Sequence, residues 1–191
     1  MKTVVKTAIA ASLMMGFVSL ANAAGMNTGT VTFTGTIEDS PCSIVVGDEH
    51  QTVNLGHIGT GSLLGGGQSS AVDFHIGLEN CAFGTETTMS TVFSAAGNES
   101  TANKGNVALM GANGEMAGSS IVLATYKGAR IALGDADSQA LVMAAAGESE
   151  TAKGLAKQTL NFKAWVKGDD SATTIDTGEF SSVVNFAISY L

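Results

Sequence analysis

Proline and positive charge are scarce in this sequence. One proline, Pro41, and nine Lys and Arg stand among 191 residues, against 17 Asp and Glu. With so little proline, chain reversals fall to Gly, Asn and Asp, at Gly65-Gly66-Gly67, Gly97-Asn98, Gly105-Asn106, Asn113-Gly114, Gly134-Asp135 and Gly168-Asp169. Asn113-Gly114 is the strongest hairpin signal, because both residues tolerate positive φ. Beyond the N-terminus no run is long and apolar enough to span a bilayer, which takes ~20 residues. There is no domain linker, low-complexity tail or clear internal repeat.

The first 23 residues have the pattern of a secretory leader. Lys2 and Lys6 form a positive start, Ala8 to Leu20 an apolar run of 13 residues, and Ala21-Asn22-Ala23 a small-x-small cleavage site. The expected organisation is therefore a signal peptide over 1–23 and a mature chain from Ala24. The leader holds two of the nine cations and none of the acids, so the mature net charge is −10. Such a surface repels nucleic acid and anionic membranes and keeps an exported chain soluble. The 168 residues that remain suffice for one domain with a real core.

Two cysteines, Cys42 and Cys81, survive in the mature chain. In an oxidising compartment an isolated pair invites one disulfide. The rival reading, free or metal-bound thiols, finds no His or Cys at zinc-like spacing around either one.

Between the turns the dominant period is two. Val31, Phe33, Gly35 and Ile37 alternate with Thr30, Thr32, Thr34 and Thr36. Val72, Phe74, Ile76 and Leu78 alternate with Asp73, His75, Gly77 and Glu79. Leu160, Phe162, Ala164 and Val166 alternate with Asn161, Lys163, Trp165 and Lys167, and Phe180, Val184, Phe186, Ile188 and Tyr190 share one parity. Alternation sets one face of a strand toward a core and the other toward water. Thr88 to Ser94 and Ser119 to Tyr126 are shorter candidates. Residues 139–157, rich in Ala, fit a helical turn or a long loop equally. Many short strands at this spacing give an all-β chain, a β-sandwich.

The two ends of the mature chain pose a problem. The first alternating segment has no turn leading to a partner strand before Pro41. The last one ends at Leu191, with no residues left to lay another strand beside it. A sandwich built this way is one strand short.

Here the sequence resembles the subunits of chaperone–usher fimbriae, the type 1 pilin family. Tyr190 is penultimate and Gly178 stands fourteenth from the end, followed by Phe180, Val184, Phe186 and Ile188, as in that family's C-terminal zipper. Cys42 and Cys81 match its single disulfide. Phe74 to Cys81, FHIGLENC, matches its strand leading into the second cysteine. Leu160 to Val166, LNFKAWV, resembles its penultimate strand, with Trp165 where many members carry Tyr. The likeness covers essentially the whole mature chain.

The resemblance implies an incomplete immunoglobulin-like β-sandwich lacking its final strand, completed by a donor strand from a neighbouring subunit. It implies a donor extension over 24–36, with Asn27, Gly29, Val31, Phe33 and Gly35 facing the neighbour, and a pilin domain over 37–191. Gly178, Phe180, Val184, Phe186, Ile188 and Tyr190 would line the groove and bind a chaperone first. The implied partners are copies of the chain and related pilins, a periplasmic chaperone and an outer-membrane usher. The implied route runs through the periplasm to the cell-surface fimbrium, without membrane insertion of the mature chain. A structural subunit of an adhesive fimbria is the expected function. A subunit that itself binds a host glycan or protein, with Trp165 as a possible anchor, is the alternative. The chain departs from the family's two-domain tip adhesins, which carry an extra lectin domain and no donor extension.

No catalytic or metal-binding constellation and no cofactor motif emerges. His50, His57 and His75 lack metal-type spacing. Gly59-Thr60-Gly61 lacks the Lys and Ser/Thr of a phosphate loop. Asp135, Asp137, Asp169 and Asp170 read as solvated turn residues, and Asn98-Glu99-Ser100 as a chance glycosylation motif. A secreted β-sandwich enzyme is set aside on these grounds.

Overall fold

A computed structural model describes residues 29–95, 97–144 and 153–191; the leader, its cleavage point and Asn27 lie outside the described residues. The chain divides into two units, Met1–Glu38 and Asp39–Leu191. In the first, residues 29–38 form no strand and all are exposed. Val31 is 74% exposed, Phe33 91% and Ile37 fully. The strand expected over Thr30 to Ile37 is thus not formed within the chain. Alternation specifies a face, but a strand also needs a neighbour's backbone to pair with.

The second unit carries nine strands among the described residues: β1 (Ser43–Ile44), β2 (Val72–Glu79), β3 (Thr88–Ser94), β4 (Val107–Gly111), β5 (Gly114–Thr125), β6 (Arg130–Ile131), β7 (Ala136–Ala140), β8 (Gln158–Gly168) and β9 (Asn185–Tyr190). Three short 3-10 turns complete the regular structure. All pairings are antiparallel. One sheet has the order β1-β2-β8-β5-β4, with β6 also on β5; the other has the order β7-β3-β9. No helix of the described residues is long and apolar enough to cross a membrane.

The alternation read from the sequence becomes the core. On β8, Leu160, Phe162, Ala164 and Val166 are buried, while Thr159 before them and Asn161 between the first two are exposed. Phe162 lies directly opposite Phe74 of β2. Their rings stack at 5.4 Å, and Phe93 of β3 meets Phe162 edge-on at 5.0 Å, joining the two sheets. Each fully buried side chain of this size contributes about 1.5–3 kcal/mol.

β5 is buried on both faces near its end, with Ser120, Val122 and Ala124 enclosed as well as Ile121 and Leu123. The loop before β4 folds over Ser120: the Asn106 Nδ2 donates to its Oγ at 2.9 Å, and Arg130 Nε donates to Asn106 Oδ1 at 2.7 Å. Polar residues are admitted there because each has a partner. The hairpin marked by Asn113-Gly114 is present, but its turn residues are Ala112 and Asn113, with Gly111 paired to Gly114. Only Gly114 of the two takes a positive φ, +112°.

Two other expectations are corrected, and a segment left open between two forms is described in part. Asp137 does not sit in a turn; it lies on β7, half-buried, and accepts from Gln139 Nε2 at 3.0 Å. Trp165 is half-buried and its Nε1 is enclosed without a partner, so it offers no exposed anchor. Over 139–157 no helix forms among the described residues: β7 takes Gln139 and Ala140, and Met143 bridges to Gly154. Residues 145–152 lie outside the described set.

Candidate strand-acceptor groove

Cys42 and Cys81 are joined. The bond ties the start of β1 to the end of β2, beside the Ser43–Glu79 pair. Two backbone bonds hold the same corner, from Ala82 N–H to Pro41 C=O at 2.8 Å and from Cys81 N–H to Ala156 C=O at 3.0 Å. The point where the chain enters the second unit is therefore fixed.

The last strand differs from the others. β9 pairs with β3 from Met89–Tyr190 to Ser94–Asn185, and it is an edge of its sheet. Its Phe186, Ile188 and Tyr190 point to the core and pack on the buried cluster, as do Phe180 and Val184 before the strand begins. Every one of these five is only half-buried. The equivalent positions on β8, which has a strand on each side, are closed to solvent. The stripe thus has core contacts on one side and incomplete cover on the other.

Two segments bring the chain to this edge. Residues 181–182 lie along β4, with Ser181 N–H donating to Met110 C=O, and Ser182 Oγ accepting from Met110 N–H at 3.1 Å and donating to Ala108 C=O at 2.6 Å. Gly178 precedes them at φ +146°, with open space around it, so a side chain there would meet backbone strain and no clash. At the far end, Leu191 C=O accepts from the Thr87 and Thr88 N–H groups at 2.6 and 2.9 Å.

Along this sheet edge the five form a half-buried apolar stripe with no charged group among them. Among the described residues no group of three or more His, Cys, Asp or Glu could hold a metal ion. An immunoglobulin-like sandwich with an open last strand is the form of a pilin.

The fimbrial protein family model matches residues 31–191, and the chain belongs to that family. It is 40% identical over its whole length to an uncharacterized fimbrial-like protein, YfcV, of Escherichia coli. Fimbria A protein of Serratia marcescens is 36% identical, with 97% of each chain covered. Among solved structures, a chaperone–usher pilus matches at TM-score 0.69 and 25% identity, covering 90% of this chain and all of that one. The P pilus rod subunit PapA shares the fold at TM-score 0.62 and 24% identity, with 80% of this chain and all of that one covered. The chain is a subunit of chaperone–usher fimbriae, a family of structural pilins, exported to the cell-surface fimbrium, where pilus subunits assemble with other pilins.

Proposed function

We propose that the chain builds an adhesive fimbria by donor-strand exchange, residues 24–36 of one copy filling the groove along β9 of the next. The observation that carries the reading is a matched pair of deficits. Phe186, Ile188 and their neighbours are core residues without full cover, and Val31 and Phe33 form an apolar face with no cover at all. A strand from another copy would remedy both, with backbone bonds supplying affinity and alternate side chains supplying register.

Burying Val31 and Phe33 would contribute about 1.5–3 kcal/mol each. Terms of that size are modest, so durable fibres depend on slow unfolding as much as on affinity. In this reading Asn27, Gly29, Val31, Phe33 and Gly35 face the groove, Gly29 at a shallow point where a side chain would not fit. Before assembly the same groove would be held by a periplasmic chaperone and passed on at an outer-membrane usher, because an open apolar edge is an aggregation hazard.

Deletion of residues 24–35 tests the proposal. The truncated chain should still co-purify with its chaperone and accept another subunit's extension, yet form no fibre by itself. Normal fibres from the truncated chain alone would refute it.

A further inference from the structure

The sandwich has a second place where a strand ends short, and there the edge is covered by side chains. β8 pairs with β2 over 158–164, but with β5 only from Phe162 onward, because β5 stops at Thr125. On the β5 side, residues 158–161 have no strand neighbour. Even-numbered residues of β8 turn their backbone groups toward β2: Val166 C=O accepts from Ser69 N–H, and Gly168 N–H donates to Gly67 C=O, on that side. Odd-numbered residues face the other way. The free edge therefore consists of the backbone groups of Thr159 and Asn161.

Carboxamides occupy it. Asn161 N–H donates to Gln139 Oε1 at 3.2 Å, and Asn161 C=O accepts from Gln139 Nε2 at 3.2 Å. Thr159 C=O accepts from Asn161 Nδ2 at 3.3 Å. One glutamine side chain thus makes both bonds that a residue of an added strand would make. Gln139 comes from the other sheet: it sits opposite Met89 on β7 and shares its inward parity, and Asp137 Oδ2 holds its Nε2. Beside this edge is a cleft of about 340 Å³ lined by Phe74, Phe162, Tyr126, Asp73 and Lys163 together with Gln139 and Asn161. Backbone groups with no strand neighbour are what an added strand pairs with, and here Gln139 takes their place.

We propose that Gln139 closes a second strand-docking edge on β8, confining strand addition to the groove along β9. The occupant it excludes is the 24–36 segment of another copy, so the inference rests on the donor-strand reading. A pilin with two acceptor edges would branch or cross-link. One with a single edge adds subunits in a line.

The test uses fibres assembled from the full chain, in which donor-strand exchange leaves no β9 groove empty. A fluorescent peptide of residues 24–36 is titrated onto them. Wild-type fibres should bind none, and Gln139→Ala fibres about one peptide per subunit. A photo-crosslinker at Val31 of the peptide should then label residues 159–161. Gln139→Ala fibres that bind no peptide would overturn this inference and leave the donor-strand reading intact. Wild-type fibres that bind one peptide per subunit would instead show empty β9 grooves and overturn both. If Gln139→Ala forms no fibre, Gln139→Glu serves: its carboxylate accepts from Asn161 N–H but cannot donate to Asn161 C=O, so peptide binding should rise above wild type, and no rise overturns the proposal.

Discussion

Gln158 holds Val142 by both of its backbone groups, its Oε1 accepting from the N–H at 2.8 Å and its Nε2 donating to the C=O at 3.0 Å. The same Nε2 also donates to Leu155 C=O at 3.0 Å. One buried carboxamide on β8 thereby fixes both arms of the segment that follows β7. Gln158→Leu keeps the size and removes every polar contact. Val142 C=O retains Leu155 N–H, but Val142 N–H and Leu155 C=O lose the carboxamide. We expect a loss of about 2 kcal/mol in urea unfolding and faster amide exchange at Val142. Unchanged exchange at Val142 would show that the side chain is not the clamp.

Thr91 presents the opposite case. It is fully buried on the core face of β3, between Met89 and Phe93, and its Oγ1 has no partner. A buried hydroxyl without a hydrogen bond is destabilising. Thr91→Val replaces it with a methyl group on the same branched frame, suited to a strand. The expected result is a gain of about 1 kcal/mol, read as a higher urea midpoint at constant slope. A lower midpoint would count against the unsatisfied hydroxyl.

Acid sensitivity should trace in part to Glu115. Partial burial pushes its pKa up, but the Thr101 N–H and hydroxyl, the Ser100 hydroxyl and the Lys104 charge together hold it below the ordinary carboxylate value. A lowered folded pKa means stability that is present above the unfolded value and lost as pH falls through the folded one. Glu115→Gln should therefore flatten the acid limb of unfolding midpoint against pH, below about pH 5, while changing little near neutrality. An acid limb as steep as wild type would assign the sensitivity elsewhere.

Parity in the proposed donor segment separates its two faces. Val31→Asp would place a charge in an apolar groove at a cost of several kcal/mol, and Gly29→Leu would overpack a shallow point. Thr32→Asp would leave its charge in water, since a one-residue step exchanges the faces. Fibre yield on heat-resistant ladder gels should collapse for the first two and stay near normal for the third, with chaperone co-purification retained in all. Failure of Thr32→Asp beside normal Val31→Asp would shift the register by one residue.

Much of the fold was legible because β2 and β8 carry their apolar residues at strict period two, and β2 and β3 begin and end where the alternation does. The β9 stripe was legible for the same reason; the cysteine pair was legible because it stands alone in a chain with a secretory leader. Alternation cannot name a partner, however, and Thr30 to Ile37 shows this: the pattern is clear, yet the chain gives the segment no strand to pair with. The glutamines were harder to see. Gln158 shares the parity of Leu160 and Phe162, and a polar residue on a core parity signals an internal hydrogen-bonding duty. Gln139 gave less warning, because β7 is the polar sequence Ala-Asp-Ser-Gln-Ala, and only the fold brings it beside Asn161.

The middle of the larger sheet is also the part of the chain that arrives late. β8 is flanked by β2 and β5, yet it begins at Gln158, some 80 residues after β2 ends. During vectorial export, β2 crosses first and finds no central strand to join. Until β8 emerges, the short β1–β2 contact, the local pairings of β5 with β4 and β6, and the nearby pairing of β3 with β7 are what the larger and smaller sheets can form. Pairings of such long sequence separation form slowly, and the waiting strands are exposed meanwhile. The topology itself thus builds in an interval of vulnerability between translocation and folding, whose length is set by chain order rather than by any weakness in the finished sheet.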